Sequence, residues 1–215
     1  MRDTMQSMTV IFDIDGVIVD SEQLHFDVLR HLAPEHACYY QPQQLIGLSL
    51  EETLEHMRVP REQQADITAK TVATYKAQLN EAYLRPGVRA LIDALQVAEI
   101  PFGFVSTAPR DICLANIALL GLQDPPRLIS GDDVLRTKPS PDPYLAMLDI
   151  LEARGDRVIV VEDTDLGVLA ATRAGIAAVY GWPHGLSEQQ HYRDATATIE
   201  RLGDIAPFAA LCPAL

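Results

Sequence analysis

Short apolar runs alternate with helical patterns along most of this 215-residue chain, and this alternation restricts the possible folds strongly. Runs rich in β-branched and aromatic residues at 9–12, 101–106, 128–129, 157–161 and 176–180 predict strands. The fourth run is apolar throughout its last four residues, as in strands covered on both faces. We therefore predict an α/β fold, with a mostly parallel sheet, right-handed crossovers and helices on both faces.

The segment from residue 21 to residue 85 interrupts the alternation, because it has helical spacing and no clear strand. Within it, Ser49 and Glu52 fit a capping box at the start of a helix. We predict an α/β core formed by residues 1–20 and 86–215, with residues 21–85 inserted after the first strand as a helical cap.

Glycine and proline mark several predicted helix ends. Gly121 and Gly175 each follow a helical pattern, as C-terminal glycines do. Pro141 lies in the first turn of a helix that we expect to end near Arg154. A last helix is predicted over residues 199–211.

The chain is acidic, with 17 lysine and arginine residues against 30 aspartate and glutamate residues, a formal net charge of −13. This charge argues against nucleic-acid binding, which needs a basic surface, and it repels anionic substrates unless a local cation is present. Residues 1–8 are polar and unlike a signal peptide, and no apolar run is long enough to span a membrane. We expect a cytoplasmic protein with reduced cysteines, and a monomer because no repeated apolar face is left uncovered.

Chemically reactive side chains follow three of the predicted strands, at the point where each strand ends. These residues are Asp13 and Asp15, Ser106 and Thr107, and Glu162 and Asp163. In open α/β sheets the ligand site lies beyond the carboxyl ends of the strands. The sequence therefore predicts that these side chains share one site.

Asp13 and Asp15 have two simpler interpretations, as solvated loop acids or as part of an EF-hand loop. The EF-hand fails because the apolar residues 17–19 stand where that loop needs oxygen ligands. Gly16 permits a sharp exit from strand geometry, so that both carboxylates can face one pocket. One carboxylate can then attack an electrophile while the other handles the proton of the leaving group.

Glu162 and Asp163 add negative charge to this predicted site. Several carboxylates do not stay ionised together in a partly buried pocket without a counterion. Mg²⁺ fits this need, because it is a hard cation that takes oxygen ligands and screens a nucleophile from an incoming phosphate. The alternative role is capping of the next helix, which Thr164 or Asp165 can also perform.

Lys138 is one of three lysines in a chain that has 14 arginines. A compact ammonium suits a crowded site with carboxylates and a phosphoryl group, although a surface lysine is the alternative. Ser106 and Thr107 can bind phosphate oxygens through a hydroxyl and backbone N–H groups, or can serve only as helix caps.

The order and spacing of these motifs resemble the four motifs of the haloacid dehalogenase-like hydrolases. The matching segments are 13–21, Ser106-Thr107, Lys138-Pro139 and 162–167. The chain is most similar to the subgroup with a helical cap between the first two motifs, which includes β-phosphoglucomutase-like and phosphoglycolate phosphatase-like enzymes. The resemblance implies a Rossmann-like parallel sheet with helices on both faces and an inserted α-helical cap.

The resemblance also implies a role for each acid. Asp13 would be the nucleophile that forms an aspartyl-phosphate, and Asp15 would protonate the leaving oxygen and then deprotonate the hydrolytic water. Mg²⁺ would bind the Asp13 carboxylate, the Asp15 main-chain carbonyl and Asp163. Glu162 would be a further ligand of Mg²⁺ or would lie next to the ligands without contacting the ion.

The resemblance also implies roles for the phosphate-binding residues and for the helical cap. Ser106 would hold the phosphoryl oxygens together with Thr107, and Lys138 would neutralise charge on Asp13 and on the phosphate. His25 is the best cap candidate for substrate contact, with a packed or solvated histidine as the alternative. The cap should move about links near residues 17–21 and 83–87.

Several activities within this family are distinguished by single residues. Asp15 disfavours halide displacement, which needs no protonated leaving group, and residues 46–50 lack the lysine of a phosphonatase. His25 and the turn Gly47-Leu48-Ser49 match β-phosphoglucomutase-like caps. However, Leu50 stands where the mutase has an arginine for the second phosphate. We therefore expect hydrolysis of a phosphomonoester, with the mutase as the alternative.

A non-enzymatic alternative is a receiver-like domain that accepts a phosphoryl group as a switch. Such domains are usually shorter and lack a helical insert, and Asp15 would give them unwanted hydrolysis. The expected partner is instead a small phosphorylated metabolite such as a sugar phosphate, whose identity depends on the shape of the cap. Trp182 and His184, after the last apolar strand, are interpreted as packing or loop residues.

Overall fold

The computed structural model describes residues 8–187 and 189–215. In this part of the chain, one sheet contains β1 (Thr9–Phe12), β2 (Phe102–Val105), β3 (Leu128–Ile129), β4 (Val158–Glu162), β5 (Ala178–Gly181) and β6 (Ala197–Thr198). All neighbouring strands pair in parallel, in the order β3-β2-β1-β4-β5-β6. The predicted α/β fold is confirmed, and β6 is an edge strand that the sequence pattern did not predict. Residues 1–7, which hold most of the segment judged unlike a signal peptide, lie outside the described residues.

Helices connect the strands. The α-helices are α1 (Glu22–Leu32), α2 (Pro34–Ala37), α3 (Leu50–His56), α4 (Arg61–Gln78), α5 (Val88–Val97), α6 (Arg110–Ala118), α7 (Asp142–Ile150), α8 (Asp165–Arg173) and α9 (Ala206–Leu211). Short 3-10 helices lie at Pro42–Gln44, Glu81–Tyr83, Gly131–Asp133, Gly155–Arg157 and Leu202–Asp204. No helix in the described ranges is both long enough and apolar enough to cross a membrane.

Helices cover both faces of the sheet, as predicted. Val10 and Phe12 of β1 belong to one buried cluster with residues of α5, α6 and α9. Ile11 belongs to a second buried cluster with residues of α7 and α8. Because successive side chains of a strand point to opposite faces, β1 supplies both layers of the core.

The helical segment between β1 and α5 has a small core of its own. Its buried apolar residues include Phe26, Leu29, Leu54, Met57 and Ile67. Its two connections to the sheet run side by side: the amide of Asp20 donates to the carbonyl of Tyr83 (2.8 Å) and that of Arg85 to Ile18 (3.0 Å). The division into a core and a cap with boundaries at 21 and 85 stays a prediction.

The predicted C-terminal helix over 199–211 is largely wrong. Only α9 is α-helical there, and it begins at Ala206 with a proline in its first turn. The chain is still extended where that helix was predicted to begin: the amide of Ile199 donates to the carbonyl of Gly181 (2.9 Å), and Arg201 has φ −147° and ψ 158°. The Asp204 carboxylate then caps the short 3-10 helix, accepting from the amides of Glu200 (2.9 Å) and Arg201 (3.1 Å).

The helix that starts at Asp142 ends at Ile150, earlier than the predicted end near Arg154. Glu152 adopts a positive φ of 49°, and the amide of Ala153 donates to the carbonyl of Leu148 (2.9 Å). This left-handed residue closes the helix in the way that glycine usually does. Because Glu152 is not glycine, no residue pattern predicted that the helix ends here.

We expect Leu91→Ala in α5 to lower the free energy of unfolding by about 2–5 kcal/mol, the range for truncating a fully buried leucine. Leu91 is completely buried, whereas Val97 of the same helix is 86% exposed. Val97→Ala is therefore the matched control and should change stability by no more than about 0.5 kcal/mol. Urea unfolding followed by circular dichroism measures both; equal losses would contradict the packing described for α5.

Candidate active site

The carboxyl ends of β1, β2 and β4 bring most of the predicted site residues to one cavity. From the sheet side the cavity is lined by Asp13, Asp15, Ser106, Thr107, Lys138 and Asp163. His25 and Gly47 line it from the helical segment, and Glu162 is buried in contact with Lys138. Ser49 has a different position, at the N-cap of α3, where its hydroxyl accepts from the amide of Glu52 (3.1 Å).

Lys138 lies at the centre of the buried charges. Its Nζ donates to Asp13 Oδ1, to Glu162 Oε1 (2.5 Å) and to the carbonyl of Val105 (3.3 Å). Burial opposes the charge of Lys138, but the attraction of the two carboxylates outweighs it and raises the pKa of the ammonium above its ordinary value. Lys138 is therefore charged throughout the physiological range and fixed beside Asp13.

Both carboxylate oxygens of Glu162 are engaged by the protein. Oε1 accepts from Lys138 and from the hydroxyl of Tyr144 (2.5 Å), and Oε2 accepts from the amide of Asp163 (3.3 Å) and the hydroxyl of Thr164 (3.4 Å). Gly167 makes room for this carboxylate, since a Cβ there would lie 2.0 Å from it. Glu162 thus forms a fixed support beneath Lys138.

Asp13, Glu162 and Asp163 form a buried acidic cluster, with one oxygen from each lying within 4.8 Å of the others. Burial raises the pKa of Asp13 well above its ordinary value; the charge of Lys138 opposes this rise, and those of Glu162 and Asp163 add to it. A single ammonium therefore does not balance the three acids. An all-oxygen donor set with excess negative charge fits a hard divalent cation such as Mg²⁺.

Asp15 accepts four side-chain hydrogen bonds. Oδ1 accepts from Ser21 (2.9 Å) and Asn116 (3.1 Å) and lies 3.2 Å from His25 Nε2, and Oδ2 accepts from Ser106 (3.2 Å). Burial opposes ionisation, but the hydrogen bonds and charge of His25, followed by the hydroxyl groups, outweigh it and lower the pKa of Asp15. In this arrangement Asp15 is an ionised carboxylate.

Asn116 and Tyr75 are site residues that the sequence analysis missed. The Tyr75 hydroxyl of α4 donates to Asn116 Oδ1 (2.8 Å), while Asn116 Nδ2 donates to Asp15. Tyr75 also stacks on the ring of His25, with centroids 4.2 Å apart. The available sequence signal was an asparagine at position 116 among the apolar positions of α6. Such a side chain is buried, as Asn116 is here, and a buried amide requires hydrogen-bond partners.

Trp182 and His184 both lie in the loop after β5, as predicted, and His184 also contacts the acidic cluster. His184 Nε2 lies 3.1 Å from Asp163 Oδ2, and its side chain is almost completely buried. Trp182 is a packing residue, with the guanidinium of Arg85 3.5 Å above its ring. Arg85 also donates to the carbonyls of Trp182 (3.1 Å), Pro183 (2.7 Å) and Gly16 (2.5 Å).

Comparisons with known proteins agree with this fold. The haloacid dehalogenase-like hydrolase family matches residues 10–180, and the chain belongs to this family. It is 30% identical over 201 residues to a phosphorylated carbohydrates phosphatase of Thermotoga maritima, with 87% of this chain and 91% of that protein covered. It is 32% identical over 176 residues to the validoxylamine A 7'-phosphate phosphatase of Streptomyces hygroscopicus subsp. limoneus, covering 79% and 83%.

The fold is shared with solved structures. The crystal structure of CbbY from Rhodobacter sphaeroides in complex with phosphate has a TM-score of 0.79 to this chain and 22% identity, and 93% of this chain and 98% of that chain are covered. At this identity the comparison establishes the common architecture.

We expect Gly16→Ala to destabilise the protein more than Gly175→Ala does. The two glycines have similar φ values, +83° and +80°, so alanine adds a similar backbone strain of about 1–2 kcal/mol at either position. A Cβ at Gly16 would lie 2.1 Å from Asp163 Oδ2, whereas no heavy atom lies within 4 Å of one at Gly175. Urea unfolding of both variants gives the difference, and equal stabilities would show that Asp163 moves without cost.

Proposed function

We propose that this protein is a Mg²⁺-dependent phosphomonoesterase that acts on a small phosphorylated metabolite, such as a sugar phosphate, through an aspartyl-phosphate. It is an enzyme, a hydrolase of phosphoric monoesters, and the phosphatase names of its relatives support this class. The observation that carries the proposal is the acidic cluster of Asp13, Glu162 and Asp163 at the strand ends, with Lys138 bonded to it and Asp15 in the same cavity.

Asp13 is the proposed nucleophile. One carboxylate oxygen attacks phosphorus, the bond from phosphorus to the leaving oxygen breaks, and an acyl phosphate forms on Asp13. Lys138 stays beside Asp13 and offsets the negative charge that the incoming phosphoryl group brings. Glu162 and Tyr144 hold the ammonium from behind, so its position does not depend on the substrate.

Asp15 is the proposed acid and base. It protonates the leaving oxygen in the first step and takes a proton from water in the second, when that water attacks phosphorus and releases inorganic phosphate. The hydrogen bonds seen here favour the ionised form, which suits the second step. We propose that movement of the helical segment 21–85 withdraws His25 and Ser21 and lets Asp15 carry a proton for the first step.

Ser106, Thr107 and Lys138 are the proposed phosphate-binding residues. The first two stand between β2 and α6 and line the cavity, and Ser106 Oγ accepts from the amide of Ala108 (3.0 Å). Asp13, Asp163 and the Asp15 main chain would hold Mg²⁺, with Glu162 standing behind them because its oxygens are occupied. When bound, Mg²⁺ supplies positive charge that screens Asp13 from the phosphate and stabilises the transferring group.

The lining of the cavity favours hydrolysis over the mutase alternative. Much of the helical side is apolar, with Phe26, Leu29, Leu45, Leu48 and Leu50. Among the described residues that line the cavity, Lys138 and His25 are the only basic side chains. A bisphosphate intermediate needs a second cationic subsite, whereas Leu50 occupies the position at which an arginine was expected for the mutase.

We expect Asp13→Asn to lower kcat by at least about a thousandfold, because an amide does not replace the nucleophilic carboxylate. Asp149→Asn, in an exposed part of α7, makes the same chemical change away from the site and should keep full activity. Release of inorganic phosphate under saturating substrate measures both variants. Undiminished turnover by the Asp13 variant would refute the assigned nucleophile.

A panel of sugar phosphates, phosphoglycolate and nucleotides should show phosphate release with Mg²⁺ and none after chelation by EDTA, because the acidic cluster then lacks its counterion.

³¹P NMR with β-glucose 1-phosphate separates phosphatase activity from mutase activity. Free phosphate should appear without prior glucose 6-phosphate. Conversion to glucose 6-phosphate faster than phosphate release would establish the mutase instead.

A further inference from the structure

We propose that His184 is a positioning residue that restricts Asp163 to one free carboxylate oxygen and thereby makes the site select Mg²⁺ over Ca²⁺. This inference rests on the proposed function, because it assumes that Asp163 is a ligand of the cation. It assigns a role to a residue in the loop after β5, which none of the predicted motifs included.

The contact uses one oxygen of Asp163. His184 Nε2 lies 3.1 Å from Asp163 Oδ2, and both side chains are almost fully buried, at 1% and 2% exposure. On its other ring nitrogen, Nδ1 accepts from the backbone amide of Leu186 (3.4 Å). Nδ1 also lies 3.6 Å from Asp20 Oδ1. Because the ionised Asp163 carboxylate only accepts hydrogen bonds, the contact at Nε2 requires a proton on Nε2, in the neutral ring and in the imidazolium alike. In either state His184 donates to Oδ2 and leaves Oδ1 free.

Residues 182–187, which include His184, are held by hydrogen bonds. The amide of His184 donates to the hydroxyl of Ser187 (3.1 Å), and the amide of Ser187 donates to the carbonyl of His184 (3.0 Å). Arg85 holds the two preceding carbonyls and, through the same guanidinium, the carbonyl of Gly16. Gly16 packs directly against Asp163 Oδ2. The donor is therefore held rigidly on the same oxygen that the Gly16 turn confines.

This arrangement has a consequence for the choice of cation. Mg²⁺ requires a nearly ideal octahedron and takes carboxylates through single oxygens, whereas Ca²⁺ accepts more ligands and also both oxygens of one carboxylate. A donor on Oδ2 competes with binding through both oxygens. Removal of a side chain that orients a metal ligand by a hydrogen bond commonly weakens metal affinity by about 10–100-fold.

Two amide substitutions test the inference with nearly equal chemistry. In His184→Gln the side-chain amide reaches about as far as Nε2 and can still donate to Asp163. In His184→Asn the side chain is one methylene shorter, so its amide cannot reach Asp163 to donate. The measurement is isothermal titration calorimetry of MgCl₂ and of CaCl₂ into the metal-free full-length protein, with thermal unfolding of each variant as a check on folding.

We expect His184→Asn to raise the Kd for Mg²⁺ about tenfold or more and to raise that for Ca²⁺ less, so that selectivity falls. His184→Gln should stay within about threefold of the wild type for both ions. General loosening of the loop would weaken both ions alike in both variants, and that result would overturn the inference.

Two further outcomes are decisive. Wild-type affinity and selectivity in His184→Asn would overturn the inference and leave the proposed function intact. Absence of Mg²⁺ binding by the wild type would overturn the proposed metal site, and the inference would fall with it. His31→Leu, an exposed histidine substitution on α1, is the control for loss of a histidine outside the site.

Discussion

The structure of the site depends on one buried ammonium group shared between two carboxylates. Lys138, Asp13 and Glu162 are each at most 5% exposed, and an unpaired charge in such a place would be strongly unfavourable. Tyr144 and the backbone around Asp163 complete the hydrogen bonds of Glu162, which fixes the ammonium from the protein side. Asp13 is then held beside Lys138 in the lining of the cavity, where the proposed substrate would reach it. The remaining negative charge of the cluster is what a divalent cation would balance.

A second network joins the helical segment to the sheet through Asp15. His25 from α1 and Ser21 from the first connection both contact this carboxylate, and Tyr75 from α4 reaches it through Asn116 of α6. The proposed acid and base is therefore the group most directly affected by any movement of the segment. In the proposed mechanism, this network would connect the position of the helical segment with proton transfer at Asp15.

The strands that carry the chemistry were largely predictable, because period and composition act over a few neighbouring residues. The run at 9–12 and the apolar run before Glu162 appear as β1 and β4 at nearly the predicted bounds. The predictions failed where a local signal was atypical. Glu152 ends α7 in a conformation more typical of glycine, and Ile199 is still paired with Gly181 of β5, so that no helix begins there.

The sequence alone determined which chemical groups stand at the strand ends, since acids, hydroxyl residues and a rare lysine follow predicted strands in a recognisable order. It also determined that a helical segment lies between the first two motifs. The tertiary structure alone decided which oxygen each partner uses, and it brought Asn116 to Asp15, His184 to Asp163 and Arg85 to the loop after β5. These pairs are separated by 101, 21 and 97 residues. Such contacts arise from the packing of distant elements, so no local pattern of spacing or propensity encodes them.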